Sequence, residues 1–243
     1  GRVAAGAIAE KFLKQLNISV TAYAKSIGPV EVSPERMDLS EIPNNQFCLP
    51  DADSAKEAEH YLDQKIAECD SVGGVVERVI SGLPAGLGEP VFEKLDANLA
   101  KAILSIGAVK GFEIGDGFAA TKACGSENND EFRMDGDKIV KETNHAGGVL
   151  GGISDGSAVI FRAAFKPTPS IAKSQETVTK DGENIDLVIH GRHDPVVVPR
   201  AVVVVESMAA ITAMDMLLMS MTSRLDLIQM FFQVENVDDS PEQ

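Results

Sequence analysis

Gly73-Gly74-Val75-Val76-Glu77-Arg78-Val79-Ile80 alternates in the manner of a β-strand, and helical patterns flank it on both sides. Upstream, Asp51 to Cys69 reads as an acidic helix, with Asp53 or Ser54 placed to cap its first N–H groups and Tyr61, Leu62 and Ile66 facing inward. Downstream, Val91 to Ile106 is a second helix closed by Gly107 as its carboxyl-terminal cap, followed by a short strand from Ala108 to Ile114. Further out, Arg2 to Leu16 repeats Val3, Ala4, Ile8, Phe12 and Leu16 at helical spacing, with Lys11 and Lys14 on the other side, and Ile18 to Ile27 is rich in strand formers. Strands resume at Ser157 to Phe165 and Ile185 to His190, and one long helix runs from Pro199 to Gln229, its proline suited to the first turn. Helices and strands intermix without the regular alternation of a doubly wound sheet, so the predicted class is α+β.

Between these elements, Pro34 to Pro50 reads as a loop or insertion and Ser126 to Asn144 as a mobile surface loop. Residues 1–234 form one predicted domain, and Glu235 to Gln243 an acidic, disordered tail. The chain opens in helical pattern without an initiator Met, which leads us to expect a preceding amino-terminal piece.

A chain of 243 residues builds a core without metal or disulfide. Its net charge of -15 and lack of Trp argue against a nucleic-acid binder, because such a surface repels a phosphate backbone and offers few stacking platforms. An anionic ligand must then be small and held by a local cluster of cations and backbone N–H groups. Cys48, Cys69 and Cys124 form neither a zinc spacing nor a disulfide framework, which fits a reducing, cytoplasmic compartment. The apolar stretch Ala201 to Met221 contains Glu206 and Asp215, so it reads as a buried helix and not a membrane span.

Three segments concentrate glycine, proline and cations at strand ends. Asn144 to Gly156 holds five glycines in thirteen residues, which frees the backbone for positive φ and for close approach to an anion, although its spacing is not a dinucleotide fingerprint. Lys166-Pro167-Thr168-Pro169-Ser170-Ile171 is braced by two prolines and offers an ammonium and two hydroxyls to a phosphate or flavin edge; a strand exit with a surface lysine suits the hexamer equally. In Gly191-Arg192-His193-Asp194-Pro195, Arg192 supplies a fork of donors and Asp194 a base, the plainer alternative being an internal Arg–Asp pair. His60, His190 and His193 lack metal-ligand partners at useful spacing and read as structural.

Together with Ser81-Gly82-Leu83-Pro84-Ala85-Gly86-Leu87-Gly88-Glu89-Pro90-Val91-Phe92 and Lys110-Gly111-Phe112-Glu113-Ile114-Gly115, these segments resemble, in order, the successive signatures of the chorismate synthase family. The resemblance spans nearly the whole chain apart from Pro34 to Pro50 and the tail, with one small departure at Val203, where the family pattern has Pro. It implies a β-α-β sandwich in which sheets pack around central helices, assembled as a homotetramer. It also implies an anti-1,4-elimination of phosphate from 5-enolpyruvylshikimate 3-phosphate to give chorismate, with reduced FMN as cofactor. The reductant would come either from an intrinsic NADPH-dependent activity or from an outside partner.

Carried over by position, the resemblance places flavin contacts at Gly107, Ala108, Gly151, Lys166, Pro167, Thr168, Pro169, Ser170 and Arg192. Arg192 also serves the substrate, and Asp194 matches the acidic residue that tunes flavin protonation. The family's two catalytic histidines, its substrate arginines and an Arg-Ser-Ser segment precede the helix that opens this chain. The resemblance therefore implies that the polypeptide as given is inert or nearly so; the alternative reading is a non-catalytic, oligomerising member of the same fold. The expectation most exposed to test is that Gly151, Lys166 and Arg192 gather around one cavity.

Overall fold

The computed structural model describes residues 1–191 and 193–233, so Arg192 and the predicted tail from Glu235 lie outside the described residues. The elements in chain order are α1 (Arg2–Gln15), β1 (Ser19–Ile27), β2 (Val30–Glu31), α2 (Ala52–Ala67), β3 (Gly74–Ser81), α3 (Leu95–Leu104) and β4 (Val109–Ile114). They continue with β5 (Phe132–Asp135), β6 (Lys138–Lys141), β7 (Val149–Leu150), β8 (Ile153–Ser154), β9 (Val159–Phe165), β10 (Gln175–Val178), β11 (Asn184–Leu187), α4 (Val198–Met221) and α5 (Leu225–Phe232).

Five strands form one antiparallel sheet in the order β2-β1-β3-β9-β4, and three two-stranded hairpins stand beside it. Antiparallel pairing with helices gathered on one face is the α+β arrangement that the sequence predicts. On β3 the period of two sends Val76, Arg78 and Ile80 toward the helices and Glu77 to the other face. Pairing then sets Tyr23, Glu77, Arg162 and Glu113 in one row across four strands on that outer face. Arg162 joins the row by donating to both glutamates and to the Gly115 carbonyl, while the buried Tyr23 hydroxyl bonds to Glu77.

The apolar helix α4 lies against β1 and β3 and is flanked by α1 and α3. Its small residues Ala201, Ala209, Ala210 and Ala213 are buried, which allows neighbouring backbones to approach closely. On α1 the predicted stripe is not the buried one. Gly6, Ala9 and Leu13 face the core, and Ile8 is 69% exposed, because α1 meets α4 through its smallest residues.

Other expectations are corrected in detail. The cap of α2 is Asp51, whose carboxylate accepts from Asp53 N, and its inward face is Ala55, Ala58 and Leu62, with Tyr61 half-buried and Ile66 exposed. The predicted helix from Pro199 to Gln229 breaks after Met221, where the Ser220 and Thr222 hydroxyls donate back to main-chain carbonyls and Arg224 turns extended. The helix predicted from Val91 starts only at Leu95, and the left-handed residue after it is Ala108, at φ 70°, not Gly107. Within Ser126 to Asn144 lies the β5–β6 hairpin. A buried carboxylate anchors the chain on either side of it, as described below.

Candidate functional site

At one end of the sheet Ile27, Gly74, Phe165 and Val109 stand in register on four strands. The segments that leave this end are therefore neighbours, although the sequence separates them widely. Lys166 N donates to the Ala108 carbonyl at 3.0 Å, which places the Gly107-Ala108 turn beside the start of the Lys166–Ser170 loop. Ser71 Oγ donates to the Thr168 carbonyl at 2.6 Å, and Gln175 Nε2 to the Pro169 carbonyl at 2.9 Å. Val72 forms a parallel bridge with Val196 and donates to the Pro195 carbonyl at 2.8 Å, bringing Asp194 to the same end.

A cavity of about 310 Å³ opens there, lined by Ile66, Ser71, Ile171, His193, Asp194 and Pro195 among others. Lys166 is exposed, and among the described residues its ammonium and the Thr168 and Ser170 hydroxyls have no hydrogen-bond partner in the protein. An unpaired cation beside two free hydroxyls is a donor set suited to a phosphate group, so these residues fit the phosphate-bearing flavin that the resemblance implies. Asp194 is bound by the guanidinium of Arg200, from the first turn of α4. That partner was missed in the sequence, where Arg192 was the neighbour weighed; nothing in a spacing of six residues across a helix start announces it. The His193 ring bonds to the Ile189 carbonyl at 2.9 Å, and His60 to Gln64 at 3.0 Å, both local contacts.

The glycine-rich stretch sits elsewhere. Asn144 Nδ2 donates to the Ala158 carbonyl and Gly148 N to Asn144 Oδ1, so this loop folds against the opposite end of β9. Gly151 occupies the turn of the β7–β8 hairpin, and the adjacent Gly152 carbonyl accepts from Leu95 N, the first residue of α3. Ala108 follows the far end of the same ten-residue helix, a rise of about 15 Å. Gly151 and Lys166 are thus not brought to one cavity within this chain, contrary to the expectation from sequence.

What holds the glycine stretch is a buried ionic cluster that the sequence reading also missed. Asp130 accepts from Thr143 Oγ1, His145 N, Ala146 N and Lys141 Nζ, and Lys141 also reaches Asp155 at 2.7 Å. Burial opposes the charge on Asp130, but these hydrogen bonds outweigh it and keep the carboxyl well below the usual carboxylate range. The available signal was Asp135-Gly136-Asp137, a tight hairpin turn with Gly136 at φ 59°.

Comparison with known proteins agrees with this architecture. The chorismate synthase family model matches residues 1–218. The chain is 58% identical to the chorismate synthase of Lachnoclostridium phytofermentans and 61% identical to that of Agathobacter rectalis, in each case over 96% of this chain and 64% of the relative. It therefore spans a little under two thirds of the length of these relatives. A crystal structure of chorismate synthase superposes with a TM-score of 0.77 at 29% identity, covering 96% of this chain and 67% of the other. With the family model covering most of the sequence and relatives this similar, the chain belongs to the chorismate synthase family.

Proposed function

We propose that the protein serves the lyase reaction of its family, anti-1,4-elimination of phosphate from 5-enolpyruvylshikimate 3-phosphate to give chorismate, and that the Ala108–Lys166–Asp194 end of the sheet is where this chain contributes to it. One observation carries the reading: the sheet register, the Ala108–Lys166 hydrogen bond and the Ser71–Thr168 hydrogen bond bring the lysine loop to the same end of the sheet as Asp194, which lines the cavity there. The overall change breaks one C–O bond and one C–H bond and forms one C=C bond, releasing phosphate and a proton with no net oxidation. Reduced FMN, when bound, supplies electron density on loan while phosphate departs.

The chain's own residues do the rest. Lys166, Thr168 and Ser170 bind phosphate oxygens, their loop kept stiff by Pro167 and Pro169 so that little ordering is left to binding. Ala108 presents backbone at the cofactor edge beside Gly107. Arg192 serves cofactor and substrate together, and Asp194, oriented by Arg200, holds or moves a proton at its carboxylate. The glycine turn at Gly151 contributes a flavin contact from a different part of the surface. Exposed apolar residues on α1 and on α5, where Leu225, Met230, Phe231 and Phe232 all face outward, support association with further copies of the chain, in keeping with the homotetramer that the resemblance implies.

Titration of FMN into the protein, followed by fluorescence quenching, and then substrate addition under a reductant with phosphate release measured, tests this function. Saturable binding is expected of this chain, and flavin-dependent release where the amino-terminal catalytic histidines that the resemblance implies are also present. Phosphate release that proceeds equally without flavin sinks the proposal.

A further inference from the structure

The loop from Lys166 to Lys173 has no regular secondary structure, and Pro167 and Pro169 remove two of its backbone donors. Such a loop is fixed chiefly through its carbonyls, and the partners of those carbonyls decide where its side chains point. Among the described residues two are held in this way, and one of them is the Thr168 carbonyl, which accepts from Ser71 Oγ across 97 residues of sequence.

Ser71 belongs to the turn Asp70-Ser71-Val72-Gly73, between α2 and β3, and each residue of that turn makes a distinct contact. Asp70 accepts from Ser71 N and pairs with Lys173 at 3.0 Å, at the far end of the loop. Val72 is tied by its N–H and its parallel bridge to Pro195 and Val196, just beyond Asp194. Gly73 packs so closely on the loop entry that an added Cβ would lie 2.2 Å from the Phe165 carbonyl oxygen. Four consecutive residues thus touch the lysine loop on one side and the segment carrying Asp194 on the other.

We infer that this turn is a positioning element that sets the distance and orientation between the Lys166–Ser170 loop and Asp194, with Ser71 as its central donor. It acts through the Thr168 peptide, whose carbonyl Ser71 Oγ holds, and Ser71 itself also lines the cavity. The inference rests on the flavin site proposed above for its ligand, but the clamp itself is a property of the protein without ligand.

The test compares wild type, Ser71→Ala and Ser71→Thr by amide hydrogen exchange and by FMN titration. Ser71→Ala is expected to speed exchange about tenfold at Lys166 and Val72, whose amides donate to the Ala108 and Pro195 carbonyls, while Val75 to Val79 of β3 stay protected, and to weaken FMN binding about tenfold. Ser71→Thr, which keeps the hydroxyl, is expected to restore both. Unchanged exchange in Ser71→Ala overturns the clamp. A loosened loop with FMN affinity equal to wild type overturns its positioning role. A loosened loop in a protein whose wild type does not bind FMN removes the flavin reading and leaves the clamp standing. Should Ser71→Ala fail to fold, Lys173→Gln cuts the Asp70 contact from the solvent side and gives the same exchange comparison, with the same outcomes.

Discussion

Gly6 of α1 faces Ser207 of α4 so closely that a Cβ built on the glycine lies 2.3 Å from the serine Cβ and 2.5 Å from its Cα. The second atom is backbone, so no rotamer change relieves the clash. Alanine is intrinsically better than glycine in a helix by about 1 kcal/mol, yet overpacking at a tight contact costs about 1–3 kcal/mol. Gly6→Ala is therefore expected to destabilise the protein by about 1–2 kcal/mol in a urea melt. A stabilised variant would show that the two helices are free to move apart.

The buried Asp130–Lys141–Asp155 cluster makes a prediction about acid. Both carboxyls are held below their ordinary range: burial opposes their ionisation, and hydrogen bonds from backbone, hydroxyl and Lys141 outweigh it. A depressed carboxylate stabilises the fold above its unfolded pKa, about 3.9, and this contribution disappears as pH falls through the folded value. Stability is thus expected to be level down to about pH 5 and to fall steeply below about pH 4. Asp130→Asn leaves Lys141 with one carboxylate and is expected to cost about 3 kcal/mol at pH 7 while flattening the fall below pH 4. Equal acid slopes in wild type and variant would remove Asp130 from the account.

A different buried charge works against the fold. Arg78 is wholly buried between sheet and helices; it donates Nη1 to the Val79 carbonyl, while Nε and Nη2 have no partner among the described residues. Burial pushes its pKa down to about 9, only partly countered by Glu206 and Glu10. Glu206 is itself pushed up by burial, although Ala22 N donates to it at 2.7 Å. Arg78→Met fills a similar volume without charge and is expected to stabilise by about 1–3 kcal/mol at pH 7. A variant destabilised by more than about 2 kcal/mol would mean that the guanidinium is well paired.

These cases show which parts of the molecule the sequence exposes. Strands β3, β4 and β9 and the start of helix α4 are written locally, in apolar runs of the right period, and their predicted bounds agree closely with the structure, whereas the predicted end of the long helix at Gln229 overshoots Met221. Which strands align is not local. The row Tyr23–Glu77–Arg162–Glu113 and the neighbourhood of Ala108 with Lys166 exist only once register is set, so neither is visible in spacing. The same holds for Ser71, an ordinary turn serine until the sheet brings Thr168 to it. Gly151 failed the expectation for a related reason: glycine content marks where backbone bends sharply, and says nothing about which end of the sheet the bend occupies.

The pairing of Asp194 with Arg200 makes the proposed proton role testable apart from cofactor binding. Asp194 lines the cavity, and the Arg200 guanidinium bonds to one of its carboxylate oxygens. If Asp194 handles the proton lost in the elimination, Asp194→Asn should slow turnover about 100-fold or more, in the range of a lost acid–base group, while FMN affinity changes less than about threefold. Arg200→Gln keeps the acid but loosens its orientation. Its pair is partly exposed, so stability should change by less than about 1 kcal/mol, while kcat falls several-fold with KM nearly constant. Steady-state kinetics beside a flavin titration checks both variants. Arg200→Gln matching wild type in kcat would show that Asp194 is oriented by something else, and equal losses of turnover and flavin affinity in Asp194→Asn would make the acid a cofactor-binding group with no part in moving the proton.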